Sequence, residues 1–143
     1  MYYEPFVAFV PDGHTLSEKK KISSDDLALD DLLLLEDGHC FKDSVIHLCK
    51  SQQGSLDTNF QLQSGSFETL IKLSNEGLGM TLLPYLHTLD LSEKQTKKLR
   101  YFTDPPPARE VSLIYNKSEL KMQIIDALYD VIAGVIRGAI RFN

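Results

Sequence analysis

The chain has 143 residues, 43% of them hydrophobic and 24% charged, with a net charge of −5. That length suits one domain, or a large part of one, with a real hydrophobic core, and the composition is ordinary for a soluble globular protein. An acidic chain whose only basic run is Lys19-Lys20-Lys21 is a poor nucleic-acid binder by itself, and such a run reads as a solvated loop.

No stretch approaches the ~20 uninterrupted apolar residues of a membrane span. Met1-Tyr2-Tyr3-Glu4-Pro5 carries no basic n-region and no signal-peptide core. A cytoplasmic protein with no membrane partner is therefore expected. Two cysteines in that compartment are ordinarily reduced, and a disulfide there is more often transient and functional than structural.

In chain order, Phe6 to Val10 is an apolar run closed by Pro11-Asp12-Gly13, which predicts a buried strand and a turn. Ser23 or Ser24 caps a short helix with Asp25 and Asp26 in its favourable first turn. Leu32 to Leu35, closed by Glu36-Asp37-Gly38, predicts a short strand buried on both faces. From Cys40 to Cys49 the residues Phe41, Val45, Ile46 and Leu48 alternate with polar ones as in a helix packed on a sheet, and Gly54 closes the region. Phe60 to Gln63 alternates like a half-exposed strand.

Ser66 caps a helix from Phe67 to about Asn75, and Gly77 ends it. Met80 to Leu83 reads as a buried strand stopped by Pro84, and Leu99 to Phe102 as a further strand. Pro105-Pro106-Pro107 is an extended connector before a strand at Val111 to Tyr115. Ser118 caps a long final helix whose stripe from Met122 to Ile140 is wider than one sheet contact needs, and Gly134 and Gly138 leave room for another backbone. Strand and helix alternating with short links predicts α/β architecture and a parallel sheet with right-handed crossovers.

Both cysteines, Cys40 and Cys49, lie on one predicted helix. Nine residues of helix advance ~13 Å and about two and a half turns, which sets the thiols on opposite sides. A disulfide needs alpha carbons within roughly 7 Å. While the segment is helical the bond cannot form, and once the bond forms the helix has come apart. A zinc site from Cys40, His47, Cys49 and His39 fails because those residues bunch on a single helix with different faces. A hydrolase elbow fails because Lys42 stands where that turn needs glycine. His14 and His87 carry no role that the sequence argues. Phe60 suits either the core or contact with the cysteine helix. Taken alone, two cysteines are better read as a pair of small buried hydrophobes, and it is the motif around them that reverses this reading.

Glu36-Asp37-Gly38-His39-Cys40, eight residues and then Cys49 resemble the redox centre of the OxyR family of peroxide-sensing LysR-type transcription regulators. Phe67-Glu68-Thr69-Leu70, Gly77-Leu78-Gly79-Met80-Thr81-Leu82-Leu83-Pro84 and Ala108-Arg109 leading into Val111 to Tyr115 extend the resemblance along nearly the whole chain. The glycine-rich run is general to LysR-type effector domains and points only to the fold.

The resemblance implies the periplasmic-binding-protein-like effector fold, a mostly parallel sheet flanked by helices, with one subdomain near complete and the other truncated. Residues 1–22 would be the remnant of the first subdomain, 23–108 the redox-sensing second, and 109–143 the return strand and C-terminal helix. It implies a peroxidatic Cys40, a resolving Cys49, and support from His39 and Arg109. Amides at a helix start favour the Cys40 thiolate, while Glu36 and Asp37 oppose it, so a cation such as Arg109 is needed. Hydrogen peroxide would be the signal, with no metal and no cofactor. Dimers or larger assemblies, contact with RNA polymerase, and DNA contact only through an absent N-terminal domain are further implications. The threonines that the family places around the peroxide are missing. Two other functions compete: a ligand-binding effector domain with incidental cysteines, and a thiol peroxidase. No recycling motif such as Cys-x-x-Cys is present, so a sensor and not an enzyme is expected.

Overall fold

A computed structural model of the chain describes residues 1–36, 40–49, 63–116, 118 and 121–140, leaving aside the side chains at 40 and 42. The strands are β1 (Tyr2–Phe9), β2 (Lys21–Ile22), β3 (Leu32–Leu35), β4 (Gln63–Ser64), β5 (Met80–Pro84), β6 (Leu99–Phe102) and β7 (Ala108–Val111). The helices are α1 (Cys40–Cys49), α2 (Phe67–Asn75), the single turns α3 (Tyr85–Thr88) and α4 (Glu93–Thr96), and α5 (Met122–Ala139). The sheet runs β2-β6-β1-β5-β3-β4, and β7 adds to β1.

The α/β class holds, and the sheet is mixed. Pairings β3–β5, β3–β4 and β2–β6 are parallel, as the strand–helix alternation predicts. All three pairings of β1, with β5, β6 and β7, are antiparallel. β1 also begins earlier than the apolar run suggests. Its second half lies between β5 and β6, so Phe6 and Ala8 face one core while Val7 and Phe9 face the other. A strand buried on both faces needs no polar alternation, which is why Phe6 to Val10 is apolar throughout.

β6 and β7 follow one another along β1, from Phe9↔Leu99 to Tyr2↔Val111, with residues 103–107 looped out between them. The strand expected at Val111 to Tyr115 therefore ends where it was expected to begin, because its partner is the first half of β1. The final helix also starts later than expected. The amide and hydroxyl of Ser118 both donate to the Asn116 side-chain oxygen, at 3.0 and 2.8 Å, and the helix begins at Met122 after Lys121.

Other boundaries fall where the local chemistry puts them. Ser23 and Asp26 form a capping box on a 3-10 turn. Ser66 accepts from the Thr69 amide at the start of α2. At its end Gly77, with φ +80°, donates to Ser74 and Leu78 donates to Leu73, the paired bonds of a Schellman stop. Of the strand expected at Phe60 to Gln63, only Gln63 lies within the described residues, where it opens β4; Gly54 lies outside them. No helix among the described residues is long and apolar enough to cross a membrane.

Candidate functional site

α1 is a single α-helix with Cys40 as its first residue and Cys49 as its last. Its buried residues are Phe41, Val45 and Cys49, at intervals of four that form one stripe against the sheet. Asp43 and His47 lie exposed on the other side. The helical rise separates the backbones of positions 40 and 49 by ~13 Å along the axis, well beyond disulfide reach.

Cys49 is a free thiol, 5% exposed and part of the main core. Burial pushes its pKa from 9.0 to about 11, because the thiolate would lose its hydration there. At neutral pH Cys49 is therefore held as the thiol. The described part of position 40 is its backbone, at the first turn where amides are unpaired. His39, Asp37 and Gly38 lie outside the described residues.

Arg109 sits on β7, directly across from Glu4 on β1. Its Nε and Nη2 donate to one Glu4 carboxylate oxygen at 2.9 and 2.8 Å. The other oxygen of Glu4 accepts the Leu86 amide at 2.9 Å. Glu4 is only 1% exposed, so these bonds replace the hydration it has lost. The Arg109 guanidinium carbon also lies 5.4 Å from the centre of the Phe41 ring, within cation–π range. The arginine expected beside Cys40 thus reaches the adjacent residue, with its charge shared with a buried carboxylate.

Phe41 is gripped on other sides as well. Phe6 and Phe67 each meet it edge to face at 5.1 Å, with interplanar angles of 81° and 90°. Phe67 in turn lies 5.0 Å from the His87 ring, and His87 Nε2 is 4.0 Å from Glu68. Residues from β1, α2 and β7 therefore converge on the second residue of α1, and α3 backs Phe67. Among the described residues no group of three or more His, Cys, Asp and Glu is placed to hold a metal ion.

Sequence reasoning missed Glu4 and the ring contacts of Phe41. A carboxylate ahead of Pro5 reads as surface, and only the pairing with a residue 105 positions away makes it internal. His14 is also engaged. Its Nδ1 accepts the Leu16 amide at 3.0 Å, and its Nε2 bonds the Asp31 carboxylate. It ties the turn after β1 to the entry of β3.

A family model described as LysR substrate binding domain matches residues 1–137. The chain is 30% identical over 136 residues to a probable hydrogen peroxide-inducible genes activator of Mycobacterium avium, covering 95% of this chain and 42% of that protein. It is 30% identical over 115 residues to the DNA-binding transcriptional dual regulator OxyR of Escherichia coli, covering 80% and 37%. Among solved structures, reduced OxyR from Porphyromonas gingivalis superposes with a TM-score of 0.77 at 29% identity, covering 99% of this chain and 62% of that one. The reduced OxyR regulatory domain of Pseudomonas aeruginosa gives 0.71 at 31% identity, covering 92% and 62%. The chain thus spans about two fifths of the length of these two sequence relatives.

Proposed function

The chain belongs to the LysR substrate-binding domain family, and from that premise we propose that it is the peroxide-sensing part of an OxyR-like transcription regulator. The observation that carries the proposal is the continuous helix α1 with a cysteine at either end. Reduced and disulfide-bonded forms cannot share that helix, so oxidation of the pair has to change the local fold.

The chemistry closes on this chain's own residues. A lone pair of the Cys40 thiolate attacks one oxygen of hydrogen peroxide; an S–O bond forms, the O–O bond breaks, and the leaving hydroxide is protonated to water. The Cys49 sulfur then attacks the sulfenic sulfur, its proton leaves with the departing hydroxide as a second water, and the disulfide forms. The raised pKa of Cys49 suits the second role and not the first, because a protonated thiol is a poor nucleophile until opening of the helix exposes it. Arg109 and His39 support the Cys40 thiolate, and no metal or cofactor takes part.

In the full-length protein, oxidation alters the arrangement of subunits, and DNA is contacted through a part outside this chain. Contact with RNA polymerase and a cytoplasmic setting complete the proposal. The division into residues 1–22, 23–108 and 109–143 belongs to it as well. The protein acts as a sensor oxidised once per signal, not as a turning-over peroxidase.

Thiol titration and far-ultraviolet circular dichroism before and after stoichiometric peroxide test it. Wild type should lose two thiols and two hydrogens of mass, with a fall in helix content. Cys49→Ser should stop at a sulfenic acid and keep its helix. An unreactive pair overturns the proposal and leaves a ligand-responsive effector domain in its place.

A further inference from the structure

We propose that Phe41 is the positioning residue that latches α1 in its reduced, helical form, with the Arg109 guanidinium and the Phe6 and Phe67 rings as the catch. This rests on the redox function proposed above and says where that switch is held and what sets its poise.

Phe41 is 5% exposed and immediately follows Cys40, so it belongs to the first turn of α1. Its ring meets three partners at once: Phe6 from β1, Phe67 from α2, and Arg109 from β7. None of these partners belongs to α1. All are fixed independently: Phe6 by the central strand, Phe67 by the capped start of α2, and Arg109 by its two bonds to buried Glu4. The catch is therefore rigid, and the element it holds is the one that has to open.

Val45, Ile46, Leu48 and Cys49 also pack on the main core, and apolar burial is non-directional and survives a shift of register. Edge-to-face rings and a cation over a ring face depend on geometry. A first turn that leaves its place loses all three contacts together. Because they exist only in the dithiol form, they favour that form and lower the tendency of the pair to oxidise. The balanced change is loss of two thiol protons and two electrons, both taken up by oxidised dithiothreitol in the test below.

Phe41→Leu keeps an apolar side chain and removes the ring. Wild type and variant, equilibrated in mixtures of reduced and oxidised dithiothreitol, report the position of the dithiol–disulfide equilibrium by thiol trapping. The variant should favour the disulfide roughly tenfold more than wild type, a potential about 30 mV more negative. A merely structural role would weaken both redox forms and leave the potential where it was. Phe67→Leu, which removes one side of the catch without touching α1, should shift the potential in the same direction by less, and it carries the test where Phe41→Leu folds poorly. Equilibrium constants within twofold of wild type for both variants, or a shift toward the dithiol, would overturn the latch while leaving the switch intact. A wild-type chain that forms no disulfide at all overturns both.

Discussion

Glu4 and Arg109 show how a buried charge is made tolerable and what depends on it. A carboxylate 1% exposed is tolerated only if both oxygens are satisfied, and here Arg109 and the Leu86 amide do so. Arg109→Ala leaves that carboxylate buried without a counter-ion, a change that typically costs about 3–5 kcal/mol. Urea denaturation should show a loss of that order, and Glu4→Gln added to Arg109→Ala should recover a good part of it. If the double variant is no more stable than the single one, the loss comes from Arg109 packing on Phe41 and not from the stranded charge.

Cys49 supplies the second residue-scale prediction. Its folded pKa of about 11 lies above the ordinary 9.0, so the folded state holds the proton more tightly than the unfolded chain. The resulting stability is fully present below pH 9 and is lost as pH rises toward 11, because there the unfolded state binds fewer protons. Two pH units correspond to roughly 2–3 kcal/mol. Since tyrosines and lysines also titrate in that range, the measurement is a difference. Urea midpoints of reduced wild type and Cys49→Ser, followed from pH 8 to 11, should converge as pH rises. Parallel curves would mean that the thiol ionises without penalty.

At the scale of elements, the run Gly77 to Pro84 shows why a general signature of the fold is also a set of physical requirements. Gly77 takes φ +80° to stop α2, with open space where a Cβ would be. Gly79 has φ +143° and lies so close to the approach to β3 that a Cβ would meet the Asp31 carbonyl oxygen at 2.7 Å. Thr81, buried in β5, donates its hydroxyl to the Leu33 carbonyl at 3.0 Å. Gly79→Ala combines backbone strain with a clash against backbone, and a loss of about 1–3 kcal/mol is expected. Gly77→Ala meets only the conformational cost, about 1 kcal/mol. Chemical denaturation of the two variants ranks them, and equal losses would remove the role given to the Asp31 contact.

The same scale divides what the sequence reveals from what it hides. The buried strand Leu32–Leu35, the helix Cys40–Cys49 and the bounds of α2 depend on neighbours in the chain: an apolar run, a helical stripe, a serine cap and a glycine stop. Each is legible because the cause lies within a few residues of the effect. The antiparallel sense of β1, its start at Tyr2 and the early position of β7 depend on partners far along the chain, and no local pattern encodes them. The candidate site divides likewise. The cysteine spacing is local and readable; the enclosure of Phe41 by Phe6, Phe67 and Arg109 is assembled from three distant segments. The late start of α5 has a smaller cause, since Ser118 bonds to Asn116 where a cap would bond to the helix.

For the whole molecule, the feature with the largest consequence is the surface of α5. This helix has no buried residue over its length, and Ile124, Leu128, Val131 and Val135 follow one another at three- and four-residue spacing along its exposed side. Ile124, Val131 and Val135 are each about two-thirds exposed, at 64%, 64% and 66%. An 18-residue helix is ~27 Å long, so the stripe is a continuous apolar band and not a scatter of single side chains, and such bands favour association. Beside it lies a cleft of about 450 Å³ between residues 112–115 and the start of α5, with Ser112 and Asp126 as well as Leu113, Tyr115, Ile125 and Tyr129 in its walls. The 143-residue chain by itself should therefore associate reversibly, its light-scattering mass rising with concentration. Ile124→Lys with Val131→Glu places opposite charges on the band without entering the core, and should return the mass toward a monomer while the thermal midpoint stays within a few degrees. A wild-type chain that is strictly monomeric at every concentration would show that the band is too narrow, or too broken by Asp126 and Asp130 on the neighbouring turns, to hold a second surface.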